Sequence, residues 1–112
     1  MKRGEIWTVS GGPDYAGKPR PSVIVQNDAL PTEFITVCGL TSDLTFTEGL
    51  RISVKPTKDN GLHVESNLMV DKINAVARSK LGRRIGRLSD AEMETLSEAI
   101  VAFLGLANIR ES

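Results

Sequence analysis

The apolar residues of this chain change their spacing once, and that change limits what it can fold into. Up to Val76 they fall in short runs: Ile6-Trp7-Thr8-Val9, Ser22-Val23-Ile24-Val25-Gln26, Ile35-Thr36-Val37-Cys38-Gly39-Leu40, Leu50-Arg51-Ile52-Ser53-Val54, Asn67-Leu68-Met69-Val70 and Ile73-Asn74-Ala75-Val76. These runs are rich in β-branched residues and are separated by Gly, Pro, Asn and Asp, as short β-strands are. Asn60-Gly61, closing the turn from Pro56, is the strongest turn signal among them. From Ser89 onward the spacing becomes three and four, at Met93, Leu96, Ile100, Phe103 and Leu104, which is one apolar face of a helix. Ser89-Asp90-Ala91-Glu92 has the capping-box pattern at its start, and Gly105 marks its end. Many short strands followed by one amphipathic helix predict a small, strongly bent β-sheet or barrel with a helix packed on it.

At 112 residues the chain reads as a single domain, 1–112, large enough to bury a core without disulfides or a structural metal. The one cysteine, Cys38, excludes an internal disulfide and suits a reducing compartment; mid-strand beside Val37 it reads as a small buried apolar residue. The start, Met1-Lys2-Arg3-Gly4-Glu5, lacks the apolar run of a signal peptide, and no stretch is apolar enough to span a bilayer. The expectation is a cytoplasmic protein with no membrane partner.

Formal net charge is zero, but its distribution is uneven. From Lys72 to Arg87 the chain carries Lys72, Arg78, Lys80, Arg83, Arg84 and Arg87 with no acidic residue, and Asp90, Glu92, Glu94 and Glu98 follow. Such a basic stripe either attracts phosphate or is a solvated face beside an acidic helix. No His/Cys cluster has metal-ligand spacing, and no phosphate loop or dinucleotide fingerprint is present, so neither metal nor cofactor is expected. The single histidine, His63, follows the Asn60-Gly61 turn and reads as a solvent-facing loop residue.

One metal-free chemistry suits these limits. RNA carries its own nucleophile, the 2′-OH, beside the scissile phosphate. The enzyme must align that hydroxyl, stabilise charge on the phosphoryl oxygens and move protons. Gly17-Lys18-Pro19-Arg20-Pro21 holds an arginine between two prolines, each with a fixed φ, and a rigid guanidinium suits that charge. The residues alone leave two readings of Arg20 standing, a phosphate-stabilising cation or a structural ion pair at a strand entrance.

Several segments, in order, carry a family resemblance. Lys2-Arg3-Gly4-Glu5-Ile6 resembles the (K/R)-R-G-(E/D)-(I/V) opening of the MazF/PemK toxins of bacterial toxin–antitoxin systems. Gly17 to Pro21 with Val23-Ile24-Val25-Gln26-Asn27-Asp28 is similar to their G-x-x-R-P…V-I-x-Q-(N/S)-D block. Leu40-Thr41-Ser42, the segment from Asp71-Lys72-Ile73 to Leu81, and Phe103-Leu104-Gly105-Leu106 resemble the family's (I/L)-T-(S/T), E-Q-I-R-T-I-D…L and L-G-L segments. The family's arginine and aspartate in I-R-T-I-D are Asn74 and Ala77 here, so Lys72 or Arg78 is left to supply a second cation.

The resemblance implies an SH3-like small barrel with short helices and a C-terminal helix, acting as a homodimer. It implies a ribonuclease that cuts single-stranded RNA at short motifs, leaving a 2′,3′-cyclic phosphate and a 5′-OH. Messenger RNA is the implied target, with ribosomal or transfer RNA as further ones. The catalytic arginine falls on Arg20 and the active-site threonine on Thr41. Substrate contacts are expected from Asp14, Tyr15, Lys18, Pro19, Ser42, Asp71 and Lys72; a loop tyrosine such as Tyr15 can stack on an unpaired base. Gln26 and Asn27 read as structural, and Trp7 as core or dimer interface. The implied partner is an antitoxin whose tail fills the RNA groove, with operator DNA bound only through the complex. Two competing readings remain: a non-enzymatic, CcdB-like gyrase-binding toxin, and a small-barrel module that binds nucleic acid or peptide without cutting it.

Overall fold

Ile6, Val23 and Cys38 stand side by side on three neighbouring strands, each fully buried, and the sheet is organised around them. The computed structural model describes residues 1–10, 19–45 and 51–106. Its strands are β1 (Glu5–Val9), β2 (Arg20–Ile24), β3 (Phe34–Thr41), β4 (Arg51–Val54), β5 (Ser66–Met69), β6 (Asn74–Ala77) and β7 (Leu81–Arg87), followed by α1 (Asp90–Leu104). Hydrogen bonding gives the order β4-β5-β3-β2-β1-β7, with β6 also on β3 and every pairing antiparallel. Strand β3 pairs β6 through Phe34–Val37 and β5 through Leu40–Thr41, and the single turn Val70–Lys72 separates these two partners. The mainly-β architecture with a C-terminal helix is as expected, but among the described residues no pairing joins β4 to β7, so the sheet stays open rather than closing into a barrel.

Alternation along the strands makes two cores. Ile6, Val23, Cys38, Leu40 and Leu68 face α1, which contributes Met93 and Leu96. Ile24 and Val37, adjacent in register, form the second with Val9, Ile35 and Leu81. The helix is capped as its sequence predicts: Ser89 Oγ accepts from Glu92 N at 3.1 Å, the Glu92 carboxylate accepts from Ser89 N at 3.0 Å, and Gly105 ends it at φ +68°. Its apolar face is only half covered, since Phe103 and Leu104 are exposed. No helix among the described residues is long and apolar enough to cross a membrane.

The opening motif is a latch. Gly4 adopts φ +93°, a conformation that favours glycine, and its carbonyl accepts from Leu88 N, between β7 and α1. The Arg3 guanidinium donates to the Val25 carbonyl and to Ser97 Oγ on the helix. Glu5 accepts from Lys2 N and Trp7 Nε1 and pairs with Arg84 Nε at 3.1 Å. Burial alone raises the Glu5 carboxyl, but the Lys2 and Trp7 hydrogen bonds, the N-terminal amine and Arg84 outweigh it, and its pKa lies below the ordinary value.

One strand was not expected. Leu81–Arg87 reads in the sequence as a charge run, yet it is β7, paired with β1. Its burial comes from Leu81 and from glycine: Gly86 is packed against the Asp59–Asn60 backbone so closely that a Cβ would lie 2.4 Å from it. The basic stripe is therefore divided by the fold, with Arg87 near Asp90 at 3.7 Å, Arg83 and Arg84 on β7, and Arg78 beside the start of β3.

Burial pushes the Cys38 thiol up to about 12. The native thiol should therefore resist iodoacetamide at pH 8 while the urea-unfolded chain reacts; equal rates would contradict its burial. Because the pKa is raised by folding, this group's contribution is complete below the unfolded thiol's value of about 8.5 and is lost as pH rises from there toward the folded value.

Candidate functional site

Strand β2 opens on Arg20, whose pairing partner on β1 is Val9. Pro21, next along, has no N–H to give a ladder and a fixed φ, so the chain enters the sheet extended. On the other side Ser22 faces Gly39 and Val23 faces Cys38 of β3. Extending that register by two residues sets Pro21 across from Leu40 and Arg20 across from Thr41. Both lie where β2 and β3 part, and their side chains line one cleft of about 690 Å³ with Ser42, Asp43, Met69 and Lys72.

Two residues of the cleft, Thr41 and Asp43, are held by a short chain of hydrogen bonds. Thr41 Oγ1 accepts from Asp43 N at 3.1 Å. Asp43 Oδ1 in turn accepts from Thr45 Oγ1 at 2.6 Å and Thr45 N at 3.0 Å; these bonds, the hydroxyl's first, hold its carboxyl below the ordinary range. The turn Val70–Lys72 sends its two charges different ways. Lys72 is exposed and lines the cleft. Asp71 turns away to Arg51 of β4, with Arg51 Nε 3.1 Å from Oδ1 and Nη2 donating to Oδ2 at 3.4 Å. Arg51, only 8% exposed in its side chain, also lines a smaller hollow with Thr41, Asp43, Met69 and Lys72.

The structure thus brings Arg20, Thr41, Ser42 and Lys72 together. Asp71 stands behind them as an ion-pair partner, and Pro19 is exposed beside Arg20. Asp14, Tyr15 and Lys18 lie outside the described residues. Of the two cations left to replace the family arginine at Asn74, Lys72 is in the cleft. Arg78 donates to the Thr32 carbonyl and lies beside the start of β3, about 23 Å of strand from Thr41. Gln26 and Asn27 brace the turn after β2: Gln26 Nε2 donates to the Leu30 carbonyl at 2.7 Å, and Asn27 Oδ1 accepts from Ala29 N at 2.9 Å. Trp7 is half-buried with its indole N–H on Glu5.

The sequence reading missed Arg51. Leu50-Arg51-Ile52-Ser53-Val54 alternates apolar and polar, as a strand with one wet face does, and the partner of Arg51 is 20 residues away, so only the pairing of β4 with β5 reveals it. It also passed over a second cleft of about 550 Å³, which shares Arg20, Pro21, Leu40 and Ser42 with the first and continues past them to His63, Arg83 and Arg84. Two cations and three hydroxyl residues lining the first cleft, with one carboxylate, suit a phosphodiester better than a neutral ligand.

Comparison with known proteins places these features in a family. The sequence model of the PemK-like, MazF-like toxins of type II toxin–antitoxin systems matches residues 2–104. The chain is 42% identical to a probable endoribonuclease MazF of Mycolicibacterium smegmatis, over 96% of this chain and 99% of that one. It is 34% identical to the endoribonuclease MazF9 of Mycobacterium tuberculosis, over 95% and 98%. The fold matches a mycobacterial endoribonuclease solved in complex with its cognate antitoxin, with TM-score 0.75, 23% identity, and 96% and 98% of the two chains covered.

Replacing Asp71 with Ala strips one carboxylate from a guanidinium that is 8% exposed. The expected cost is about 3 kcal/mol, the low end for one side of a buried pair, because Asp71 keeps some contact with water. Lys72→Ala, on the surface, should change stability by less than about 0.5 kcal/mol. Urea unfolding of both variants checks this; an Asp71→Ala protein as stable as the parent would contradict it.

Proposed function

The chain belongs to the PemK-like, MazF-like toxin family of type II toxin–antitoxin systems, and on that premise we propose that it is a toxin that cuts single-stranded RNA at short sequence motifs without a metal ion. The observation that carries the reading is the convergence of Arg20, Thr41 and Lys72 on one cleft at the parting of β2 and β3.

In the proposed reaction the ribose 2′-oxygen attacks the adjacent phosphorus. The 2′-O–P bond forms, the P–O5′ bond breaks, the 2′-OH proton is lost and O5′ gains one. The products are a 2′,3′-cyclic phosphate and a 5′-OH, and no other reactant enters. Negative charge grows on the phosphoryl oxygens as the phosphorus becomes five-coordinate, and Arg20 meets it with a planar, bidentate donor set. An arginine is too weakly acidic to act as the base, so its role is charge stabilisation. The Thr41 oxygen already accepts from Asp43 N, which leaves its O–H to donate to a phosphoryl oxygen. Lys72 adds a second cation where the family's arginine is replaced by Asn74.

The protein acts in the cytoplasm as a homodimer, and an antitoxin tail blocks the same cleft. Support for that partner comes from the antitoxin complex among the matching folds. Operator DNA is met only through the toxin–antitoxin complex. A gyrase-binding toxin has no use for a guanidinium, hydroxyl and ammonium set around one cleft.

Single-stranded RNA incubated with the protein in EDTA should be cut. Arg20→Ala should lose about a hundredfold or more of that activity, by analogy with removal of one transition-state donor, with its unfolding midpoint unchanged. Thr41→Ser should retain far more activity than Thr41→Val. Intact RNA with blocked DNA supercoiling would instead assign the gyrase reading, and full cleavage by Arg20→Ala would remove Arg20 from the site.

A further inference from the structure

The second cleft begins at Arg20 and is built by an irregularity of the sheet. Along β1 and β7, Ile6 faces Gly86, Trp7 faces Arg84 and Val9 faces Leu81, so β7 carries two bulged residues over this length. In a regular strand consecutive side chains alternate between faces; here Arg83, Arg84 and Ile85 all line one groove. The bulge is stabilised locally, because Arg83 N donates to Thr8 Oγ1 at 2.9 Å instead of to a backbone carbonyl. Opposite stands the loop after Asn60-Gly61. Asn60 is 1% exposed, accepts from Thr57 N and Leu62 N, and donates to the Lys55 carbonyl. Gly61, at φ +69°, presses on the Ile85 carbonyl so closely that a Cβ would lie 2.0 Å from it. The loop is thereby fixed against β7, and it presents Leu62 and His63 to the groove.

We propose that this groove is a nucleotide subsite of the RNA-cutting site, taking the nucleotide next to the scissile phosphate, with His63 and an apolar floor of Leu40, Leu62 and Ile85 for the base and Arg83 for the following phosphate. The inference rests on the ribonuclease reading above. Arg20, Pro21, Leu40 and Ser42 line both clefts, so a strand laid across Arg20 from the Lys72 side runs into this groove without leaving the surface. Its volume, about 550 Å³, lies within the range of about 300–1,000 Å³ typical of small-ligand sites. The two arginines differ in what holds them. Arg84 is tied to Glu5 and serves as wall, whereas the exposed Arg83 guanidinium has no ion-pair partner among the described residues. An apolar floor with an exposed ring and a cation at the rim is the combination that holds an unpaired base and its phosphate.

The test begins by mapping wild-type cut sites on a long RNA. Steady-state kinetics then follow on short RNAs that carry each base in turn at the positions flanking the cut. Arg83→Ala should raise KM about tenfold, with a smaller effect on kcat, and lower the slope of log KM against log salt by about one. His63→Ala should reduce base preference about tenfold at one flanking position and leave the others alone. Arg87→Ala removes an arginine of the same strand that faces away from the groove, and should leave KM, salt slope and preference as they were. Thermal melting of each variant confirms folding, since Arg83 and His63 are both exposed. Wild-type cleavage with both variants unchanged would overturn the subsite and leave the ribonuclease reading intact. Unchanged cleavage with lost inhibition by an antitoxin peptide would overturn it in favour of an antitoxin-binding groove. A wild-type protein that neither binds nor cuts RNA would overturn both readings.

Discussion

The pairing of β2 with β3 is the constraint on which the rest depends. Val23 against Cys38 and Ile24 against Val37 put one residue of each strand into each of the two cores, so a slip by one residue would turn every side chain to the wrong face. That register is held by buried apolar surface at roughly 25 cal/mol per Å² and not by the site itself. The site is a consequence of it. Two residues beyond the last paired positions, the same register carries Arg20 and Thr41 to the mouth of one cleft. Pro21 sharpens the exit, since it cannot extend the ladder as a donor.

Charge is arranged around that geometry in two layers. The outer layer, Arg20 and Lys72, is exposed and lines the cleft. Behind it stand two ion pairs: Arg51 with Asp71 beside the turn that presents Lys72, and Arg84 with Glu5, which also accepts the Trp7 indole. A buried ion pair is weak evidence for stability, because desolvation offsets much of its attraction. Its value here is directional. It ties the Val70–Lys72 turn to β4, and the next residue of that turn, Lys72, lines the cleft.

Much of this was readable from residue order, and the unread parts have common physical causes. The strands built on β-branched runs, Val23-Ile24 and Ile35 to Leu40, were legible because burial of both faces leaves a continuous apolar signature. The helix was legible from its cap and spacing. Strand β7 was not, because its close contacts are made through glycines that carry no hydrophobic signal and its exposed positions are arginines. Arg51 was passed over because alternation reports which face a residue takes, not whether a carboxylate waits there. The openness of the sheet likewise depends on how distant strands meet. Of the site, Arg20 stood out through its prolines and Thr41 only through the family resemblance, while the groove by His63 and Arg83 needed the bulge, which no local pattern announces.

In the proposed reaction the protein supplies charge and position while the substrate supplies the nucleophile. As proposed, Arg20 stabilises the phosphoryl oxygens of a phosphate under attack, and the attacking group is the 2′-OH of the RNA itself. The most direct test is therefore made on the substrate. An RNA oligonucleotide containing a mapped cut site is compared with one in which the single nucleotide 5′ of that phosphate is 2′-deoxy. The deoxy oligonucleotide should bind with similar affinity, compete with the all-ribose strand and remain uncut. Cleavage of the deoxy-substituted strand at the same phosphate would contradict the proposed reaction.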